Sequence, residues 1–396
     1  MIYERLGVRT IVNAKGTATR LSGGIMRPEV AEAMVQASQA CVDMAELQAK
    51  ASEIIAGHTG AEAGLVTSGA AAGLLLGTAA AVTGLDPGRM NRLPDTAGMS
   101  NEVIVARSQR NLYDHAVRTA GVRLIEVGLP DRYAGAGVRD AEAWEIADAI
   151  NEQTAAILWV AHPAAKPCLG ELAAVAHAAG VPVIVDAAAQ LPPASNLRRF
   201  IDDGADLVAF SGGKAIGGPQ ASGFLCGRRD LIMAAALQML DMDMLFDQWQ
   251  PPAPFIDKAL LKGLPQHGIG RPCKAGKEEI AGLLTALDLF VADDPAARRQ
   301  RWLGLCQAIV EAAGRLDHAT LRLQDQGEVP TVALSLDQDR AGMTAFQLLL
   351  ALEGGEPSIR VDNGALHQAR LSFNPQCLAA DAPALIGRRL RELLTA

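Results

Sequence analysis

Short runs of apolar residues alternate along the chain with longer stretches in which apolar side chains recur at helical spacing. The runs 103–106, 155–160 and 207–210 carry no charged residue. Such runs are typical of strands buried on both faces, as in parallel sheets. Helical spacing over 44–59 and 277–292 predicts helices among and beyond these strands. The alternation predicts an α/β fold built on a mostly parallel sheet.

Two charged residues stand at the carboxyl ends of predicted strands. The apolar run Val181 to Val185 ends at Asp186, and the run 207–210 ends at Ser211 and a glycine-rich loop that contains Lys214. Open α/β sheets bind ligands beyond the carboxyl ends of their strands. The separation of Asp186 and Lys214 leaves room for one crossover and the next strand, so both are expected at one ligand-binding edge.

The lysine in this loop has two interpretations. A buried lysine is rarely left unpaired, and desolvation lowers its pKa until the neutral amine forms a Schiff base with a carbonyl compound. The alternative is a surface lysine in a glycine-rich turn, and the loop by itself favours this alternative. Pyridoxal phosphate needs a lysine for its aldehyde and an acid against its pyridinium nitrogen. Lys214 and Asp186 together supply that pair.

Two segments around these residues carry a resemblance to a known family: FSGGKAIGGPQASG (210–223) and VIVDAAAQLPP (183–193). They resemble fold-type-I pyridoxal-phosphate enzymes of the selenocysteine-synthase-like group, which includes L-seryl-tRNA selenium transferase and D-glucosaminate-6-phosphate ammonia-lyase. The segments 11–34, 59–80 and 268–287 are also similar to signatures of this group. The resemblance runs from about Val8 to the C-terminus, and it is vague in the C-terminal third.

The resemblance implies a fold and a domain plan. The implied fold is the α/β fold-type-I transferase fold, with a mostly parallel seven-stranded sheet in a large domain and a small α+β C-terminal domain. The predicted boundaries are an N-terminal arm at 1–27, a large cofactor-binding domain at 28–270, and a linking helix with the small domain at 271–396. A chain of 396 residues also exceeds one ordinary core.

A cofactor phosphate is expected where a strand, a turn of small residues and a helix follow one another. The strand Leu65 to Thr67 leads into Ser68, Gly69 and Ala70, and an Ala/Leu-rich helix continues to about 82. Free N–H groups at a helix N-terminus attract an anion, and glycine permits close approach of the backbone. The alternative is a plain helix capped by Ser68.

Other cofactor contacts are implied only by the resemblance. His115, in YDHAV, matches a ring-stacking residue of related enzymes, although a helix-surface histidine is the alternative. Ser211 matches a phosphate-binding position, and Gly218 lies where the loop bends around the cofactor. Arg271, with Lys274 as a second candidate, matches an arginine that reaches the partner subunit's cofactor phosphate.

Substrate contacts are assigned in the same way. Arg370, in ARLSFNP, resembles the arginine that holds the substrate carboxylate, and Arg360 is its rival. Arg110 is a candidate for a substrate anion. Weaker candidates for substrate or cofactor contacts are Arg107, His162 and Gln190.

Composition excludes several classes of function. The net charge of −8 disfavours a nucleic-acid surface, whose footprint is basic. The six cysteines are far apart and form no CxxC pair, so neither a zinc site nor a redox motif is predicted, and no metal is expected. Neither a leader nor an apolar run near 18 residues is evident, so we expect a cytoplasmic protein without a membrane span.

Three further expectations concern segments away from the central motif. The stretch 85–101, rich in Pro, Gly, Asp and Met, is predicted to be a long loop near the mouth of the site. The Met- and Leu-rich stretch 231–246 is predicted to be helical. The cations of the first 27 residues, Lys15, Arg20 and Arg27, belong either to a plain arm or to one that reaches across a dimer, as the resemblance implies.

The sequence therefore favours a pyridoxal-phosphate lyase that forms a homodimer or a larger homo-oligomer. It is expected to remove water and ammonia from a hydroxy amino acid or a phosphorylated amino sugar acid, which gives a 2-keto acid. Selenium-transferase, aminotransferase, racemase and aldolase chemistry remain open on the same lysine and acid. A cofactor-binding regulator is a third, non-enzymatic alternative.

Overall fold

The structure, a computed structural model, describes residues 2–129 and 140–395. Its strands are β1 (Ile11–Ala14), β2 (Ala63–Thr67), β3 (Glu102–Ala106), β4 (Arg123–Val127), β5 (Thr154–Val160), β6 (Val183–Asp186), β7 (Leu207–Ser211), β8 (Gly223–Gly227), β9 (Ala319–Gln324), β10 (Thr331–Leu336), β11 (Ser358–Val361) and β12 (Arg370–Phe373). Its helices are α1 (Ile2–Arg5), α2 (Pro28–Ser38), α3 (Met44–Thr59), α4 (Ala70–Thr83), α5 (Pro87–Arg92), α6 (Asp114–Thr119), α7 (Ala143–Ala149), α8 (Leu169–Ala178), α9 (Asn196–Asp202), α10 (Arg229–Met239), α11 (Lys277–Ala292), α12 (Pro295–Ala313), α13 (Gln338–Ala341), α14 (Ala345–Gly354) and α15 (Ala382–Leu394).

Seven strands form one sheet in the order β2-β8-β7-β6-β5-β3-β4. β8 is antiparallel to both of its neighbours, and the other adjacent pairs are parallel. The central strands are buried along almost their whole length, as their continuous apolar runs require. The predicted α/β fold with a mostly parallel seven-stranded sheet is confirmed.

The chain divides into two compact units. One unit is Pro28–Asp288, and the other combines Met1–Arg27 with Leu289–Ala396. The N-terminal segment belongs to the second unit because β1 pairs in parallel with β11. Lys15 of this segment forms an ion pair with Asp362 at 3.0 Å. The predicted division into an N-terminal arm, a large domain and a small domain stays a prediction.

In the larger unit, α4 is apolar on every side and packs against β7 and β8. A helix of this kind is stable only inside a core. Because β8 is antiparallel to β2 and β7, the carboxyl ends of β2 and β7 lie at the same edge of the sheet. The N-terminus of α4, which follows β2, therefore begins at the edge where β7 ends.

In the smaller unit, β12, β10 and β9 form an antiparallel sheet with β10 in the centre. Val332, Leu334 and Leu336 of β10 are buried in the core that α12, α14 and α15 also line. The alternate residues of β10 are half-buried on the other face. The sheet thus covers its core with one face only, as antiparallel sheets commonly do.

The expectation of a long loop over 85–101, near the mouth of the site, is wrong. Pro87–Arg92 is helical: the side chain of Asp86 accepts hydrogen bonds from the N–H groups of Gly88 and Arg89, and Pro87 occupies the first turn. The segment joins the end of α4 to the start of β3, so it runs at the edge opposite the carboxyl ends of the parallel strands.

The helix expected over 231–246 ends at Met239. The carbonyl of Gln238 accepts the N–H of Gly270 at 3.0 Å, and the carbonyl of Met239 accepts a guanidinium N–H of Arg271 at 2.8 Å. These contacts satisfy carbonyls that an ending helix leaves open. A segment about 30 residues later in the chain thus binds the carbonyls at which α10 ends.

Within 2–129 and 140–395, no helix combines the length and the apolar character that crossing a membrane demands. All six cysteines are free thiols.

Candidate active site

The structure brings Asp186 and Lys214 to one edge of the larger unit's sheet. Asp186 ends β6, and Lys214 follows β7 by three residues; the two strands are parallel neighbours, with Asp186 opposite Ala209. Asp186 is only 9% exposed, and its Oδ1 accepts the N–H of Ala188 at 3.0 Å. The sequence prediction placed both residues at this edge, and the strand order explains why they meet there.

Burial shifts the pKa values of both groups toward their neutral forms. It raises the pKa of Asp186 above 3.8, against the opposing effects of the Ala188 hydrogen bond and the Lys214 charge. It lowers the pKa of Lys214 below 10.5, against the charge of Asp186. Among the residues that the structure describes, none makes a hydrogen bond or ion pair with Nζ of Lys214. A neutral amine with no such partner is suited to act as a nucleophile or a base.

The loop that carries Lys214 is held tightly. The N–H of Gly212 donates to the carbonyl of Ser222 at 2.9 Å, and the N–H of Gly218 donates to the carbonyl of Gly212 at 2.9 Å. A Cβ atom on Gly212 would lie 2.4 Å from Cδ1 of Leu283, on α11. The loop therefore folds back on itself beneath α11, which fixes the position of the lysine.

A cradle for an anion forms at the start of α4. Gly69 has φ of +144°, a conformation that other residues rarely adopt, and the side chain of Thr67 donates to its carbonyl at 2.8 Å. A Cβ atom on Gly223 would lie 2.7 Å from the carbonyl carbon of Gly69 and 2.8 Å from the nitrogen of Ala70. Only a glycine at position 223 lets β8 approach the helix N-terminus so closely.

The predicted alternative of a plain helix capped by Ser68 is wrong. Gly69 is the N-cap of α4, and no side chain caps the helix. The N–H of Ser68 instead donates to the carbonyl of Cys273 at 3.3 Å. The first-turn N–H groups of α4 have no acceptor within the helix, which leaves them and the positive end of the helix dipole for a ligand.

The cradle and the lysine loop adjoin the same strand. Gly223 of β8 is paired with Thr67 of β2 on one side and with Ser211 of β7 on the other. The residues present therefore fit pyridoxal phosphate: an anion-binding helix N-terminus, a lysine for the aldehyde and a buried acid for the ring nitrogen. The contributions of Thr67 and Gly223 were not predicted from the sequence; a glycine that opens a buried strand was the available signal.

His115 and Arg110 follow β3 toward and into α6. His115 is exposed, and its Nδ1 lies 3.2 Å from a guanidinium nitrogen of Arg118. Arg110 forms ion pairs with the buried Asp114 and with Glu126. Arg110 is thus already neutralised by carboxylates of its own unit.

The other candidates of the larger unit hold its backbone together. Gln190 donates to the carbonyl of Ala161 at 2.6 Å, which joins the segments after β6 and β5. Arg271 binds the end of α10 and forms an ion pair with Asp241 at 3.1 Å. Ser211 is half-buried, whereas His162 and Lys274 are exposed, and Nδ1 of His162 accepts the N–H of Ala164 at 3.1 Å.

Arg370 and Arg360 belong to the smaller unit. Arg360 forms an ion pair with Glu353 at 2.7 Å. Arg370 is exposed at the start of β12, and among the described residues its side chain has one long hydrogen bond, to Oε1 of Gln368 at 3.4 Å. Of the two, Arg370 is the one with a guanidinium available to a carboxylate.

Known proteins resemble this chain along its full length. The family model for L-seryl-tRNA selenium transferase matches residues 95–248. A Streptomyces protein named 5'-C-glycyluridine monooxygenase-decarboxylase is 33% identical over 411 residues, which cover 100% of this chain and 92% of that protein. The D-glucosaminate-6-phosphate ammonia lyase of Salmonella typhimurium is 32% identical over 401 residues, 99% of this chain and 97% of the relative.

A solved structure of a D-glucosaminate-6-phosphate ammonia-lyase has a TM-score of 0.81 at 31% identity and covers 99% of this chain and 98% of that one. The fold and these matches define the class, which is that of the fold-type-I pyridoxal-phosphate enzymes. The chain belongs to the selenocysteine-synthase-like family of that class.

Proposed function

We propose that this protein is a pyridoxal-phosphate-dependent ammonia-lyase. It eliminates the β-hydroxyl of a hydroxy amino acid or a phosphorylated amino sugar acid as water, and hydrolysis of the enamine then releases ammonia and a 2-keto acid. The observation that carries the proposal is the electrostatically coupled pair of Lys214 and Asp186 at the carboxyl edge of the sheet. Full-length identity of 32% to an ammonia lyase supports this class of reaction.

We assign the cofactor to the cradle and to the Lys214 loop. Lys214 would hold the aldehyde, Asp186 would pair with the ring nitrogen, and Ser68, Gly69 and Ala70 would bind the phosphate. Further contacts come from the other predicted positions: Ser211, Gly218, His115 and Arg271. When bound, the cofactor supplies an electron sink for the charge that develops at the substrate Cα.

Asp186 keeps the ring nitrogen protonated. Its burial makes an isolated carboxylate costly, as the raised pKa shows. A positively charged ring nitrogen beside it offsets that cost, because opposite charges in a buried site stabilise one another. The buried carboxyl group of Asp186 is therefore suited to bind a cationic partner.

Lys214 would serve as the base for the α-proton of the bound substrate. Its lowered pKa keeps a larger fraction of the amine neutral near neutral pH. The β-hydroxyl then leaves as water, with a proton returned by the lysine. The released enamine takes up one water and yields the keto acid and ammonia, so the net loss is ammonia alone.

Arg370 is our choice for the substrate carboxylate, because Arg360 and Arg110 are already paired with carboxylates of their own units. A planar guanidinium binds a carboxylate through two parallel hydrogen bonds. The partner is a small molecule. The net charge of −8 opposes nucleic acid as a partner.

We further propose a cytoplasmic homodimer or larger homo-oligomer. Two of the free thiols, Cys41 and Cys168, are exposed, which suits a reducing compartment. The family's sites are shared between subunits, as the sequence resemblance implies.

One second candidate has a specific observation in its favour. The Streptomyces relative is as similar over the full length as the ammonia lyase is, and its name describes a monooxygenase-decarboxylase. That chemistry would use the same lysine and acid but would consume oxygen and release carbon dioxide.

The test is a substrate screen with the reconstituted enzyme. D- and L-hydroxy amino acids and phosphorylated amino sugar acids are assayed for ammonia and keto acid. We expect at least one compound to react, Lys214→Ala to be inactive, and Lys50→Ala, a change at an exposed surface lysine, to retain activity. The proposal is wrong if no compound in the panel releases both products, or if Lys214→Ala releases them at the wild-type rate.

A further inference from the structure

Gln220 carries a buried oxygen atom that lacks a hydrogen-bond donor. This residue lies six positions after Lys214, in the loop 212–222 that joins β7 to β8. The residue is half-buried, and its Oε1 is shielded from solvent. Within residues 2–129 and 140–395, no group donates a hydrogen bond to this oxygen. Burial of such an atom costs free energy, so we expect a donor to reach it at some stage of the protein's function.

Gln220 packs directly against the residue that precedes Lys214. A Cβ atom on Gly213 would lie 2.7 Å from Cα of Gln220 and 2.9 Å from its carbonyl oxygen. Since Lys214 follows Gly213, the Cα atoms of Lys214 and Gln220 are within about 8 Å of each other. A lysine and a glutamine side chain that extend toward one another span more than this distance. The two side chains are therefore long enough for Nζ and Oε1 to meet.

Lys214 lacks the complementary partner. Its amine, once protonated, has three N–H donors and no acceptor. Among the described residues no group accepts a hydrogen bond from Nζ, and Asp186 on β6 is the charged group that acts on it. No hydrogen bond joins Nζ to Oε1 of Gln220 in the structure. A rotation of the flexible lysine side chain is therefore needed to bring the two groups together.

The loop around Gln220 is held on two sides. The hydroxyl group of Ser222 donates to the carbonyl of Pro219 at 2.6 Å. Gly282 and Leu283 of α11 cover the loop, and a Cβ atom on Gly282 would lie 2.8 Å from Cγ of Pro219. Both of these α11 residues are uncharged, so they offer the lysine no ion pair. The position of the Gln220 backbone is therefore set by the loop and not by the lysine.

We propose that Gln220 is a positioning residue, whose Oε1 accepts a hydrogen bond from the ammonium form of Lys214 when the lysine is not bonded to the cofactor. This inference rests on the proposed function, in which Lys214 takes up the α-proton and so becomes an ammonium group in a buried site. A neutral amide oxygen stabilises that charge. Because it forms no ion pair, it still leaves the proton available for return to the leaving hydroxyl.

The pKa of Lys214 in the full-length protein freed of cofactor tests this contact without turnover. Competitive acetylation over a range of pH, followed by peptide mass spectrometry, gives the pKa of each lysine separately. Gln220→Met keeps nearly the same size and shape but has no comparable acceptor. We expect it to lower the pKa of Lys214 by about 1, because a hydrogen bond to a charged group favours the charged form.

A second variant changes the pKa in the opposite direction. Gln220→Glu places a carboxylate where the amide was, and a nearby negative charge favours the ammonium form, so the pKa of Lys214 should rise. Opposite shifts in the two variants cannot come from a general loosening of the fold. Gln153→Met is the matched control: this exposed glutamine precedes β5, at the edge of the sheet away from Lys214, and its replacement should leave the pKa unchanged.

The inference is overturned if Gln220→Met leaves the pKa of Lys214 unchanged, or if Gln220→Glu does not raise it. The exposed Lys50 serves as the internal reference, and its pKa should be the same in every variant. Failure of the proposed function gives a different result, namely no ammonia and no keto acid in the substrate screen, whatever the pKa of Lys214.

Discussion

Burial, more than hydrogen bonding, sets the chemistry of the two central residues. Asp186 accepts one backbone hydrogen bond, and within residues 2–129 and 140–395 Lys214 has no partner beyond the electrostatic attraction of Asp186. Each group is pushed toward its neutral form, and each is partly restored by the other's charge. In a site of this kind, burial keeps the pKa values of both groups shifted until a ligand provides the charged or hydrogen-bonding partners that they lack.

Replacement of Asp186 by Asn tests its role at the ring nitrogen. We expect the cofactor still to bind but kcat to fall about 10²-fold or more, because a charge-assisted contact worth a few kcal/mol is lost. Steady-state kinetics and removal of the α-proton, followed by exchange with deuterated solvent, measure the effect. Asp203→Asn, at an exposed carboxylate paired with Arg199, is the control. Near-native kcat in Asp186→Asn would reduce Asp186 to a strand-end carboxylate.

The lowered pKa of Lys214 predicts how capture of the cofactor depends on pH. Only the neutral amine attacks an aldehyde, so the capture rate rises as the pH passes through the pKa of Lys214 and then levels off. Because burial lowers that pKa, the midpoint of the rise lies below pH 10.5, the ordinary value for lysine. Stopped-flow absorbance gives the rate, and borohydride reduction with peptide mapping identifies the modified residue. A midpoint at or above pH 10.5, or a label on another lysine, contradicts this role for Lys214.

The strand order of the larger unit's sheet positions the candidate site, and a close approach between β8 and α4 shapes the cradle. The start of β8 lies against the first residues of α4 because position 223 has no side chain. The cradle for the phosphate therefore depends on contact between backbones that the local hydrophobic pattern does not reveal.

Gly223→Ala is expected to damage both stability and phosphate binding. Its Cβ would overlap the backbone of Phe210 at 2.6 Å and of Gly69 at 2.7 Å, so α4 must shift. We expect a loss of about 1–3 kcal/mol in the free energy of unfolding. The preference for pyridoxal phosphate over pyridoxal, measured by fluorescence titration, should fall at least about tenfold. Gly263→Ala, where a Cβ meets open space, is the control. An unchanged preference in Gly223→Ala would show that the cradle does not hold the phosphate.

The local hydrophobic pattern predicted most of the strands and helices. The helix boundaries that it missed have physical explanations. The continuous runs that became β3, β5 and β7 were identified because strands buried on both faces have no polar positions. The stop of α10 at Met239 was missed because Gly270 and Arg271, about 30 residues later, take the carbonyls that end it. The helix at Pro87 was missed although Asp86 and Pro87 are ordinary start signals.

The part of the candidate site that lies at the ends of neighbouring parallel strands was predictable from the sequence. Asp186 and Lys214 follow adjacent parallel strands, so their meeting required only a correct strand order. Gly223 and Thr67 were not found, since their roles depend on the pairing of β2 with β8 across the sheet. Roles assigned through resemblance alone, such as those of His115 and Arg271, stay predictions.

At the scale of the whole molecule, two relatives of similar identity carry names for different reactions. The ammonia lyase and the monooxygenase-decarboxylase are 32% and 33% identical to this chain, each over nearly all of it. Overall similarity therefore does not choose between elimination and oxidation. The choice has to come from the products and from the demand for oxygen.

The most direct test of the central claim is a product balance measured with and without oxygen. Enzyme loaded with cofactor is supplied with a reactive substrate from the screen and with no keto-acid acceptor, and ammonia, keto acid, oxygen and carbon dioxide are followed together. An ammonia-lyase releases ammonia and keto acid in equal amounts over many turnovers, at the same rate under argon as in air. Turnover that stops after one equivalent until a keto acid is added, or that requires oxygen and releases carbon dioxide, contradicts the ammonia-lyase proposal.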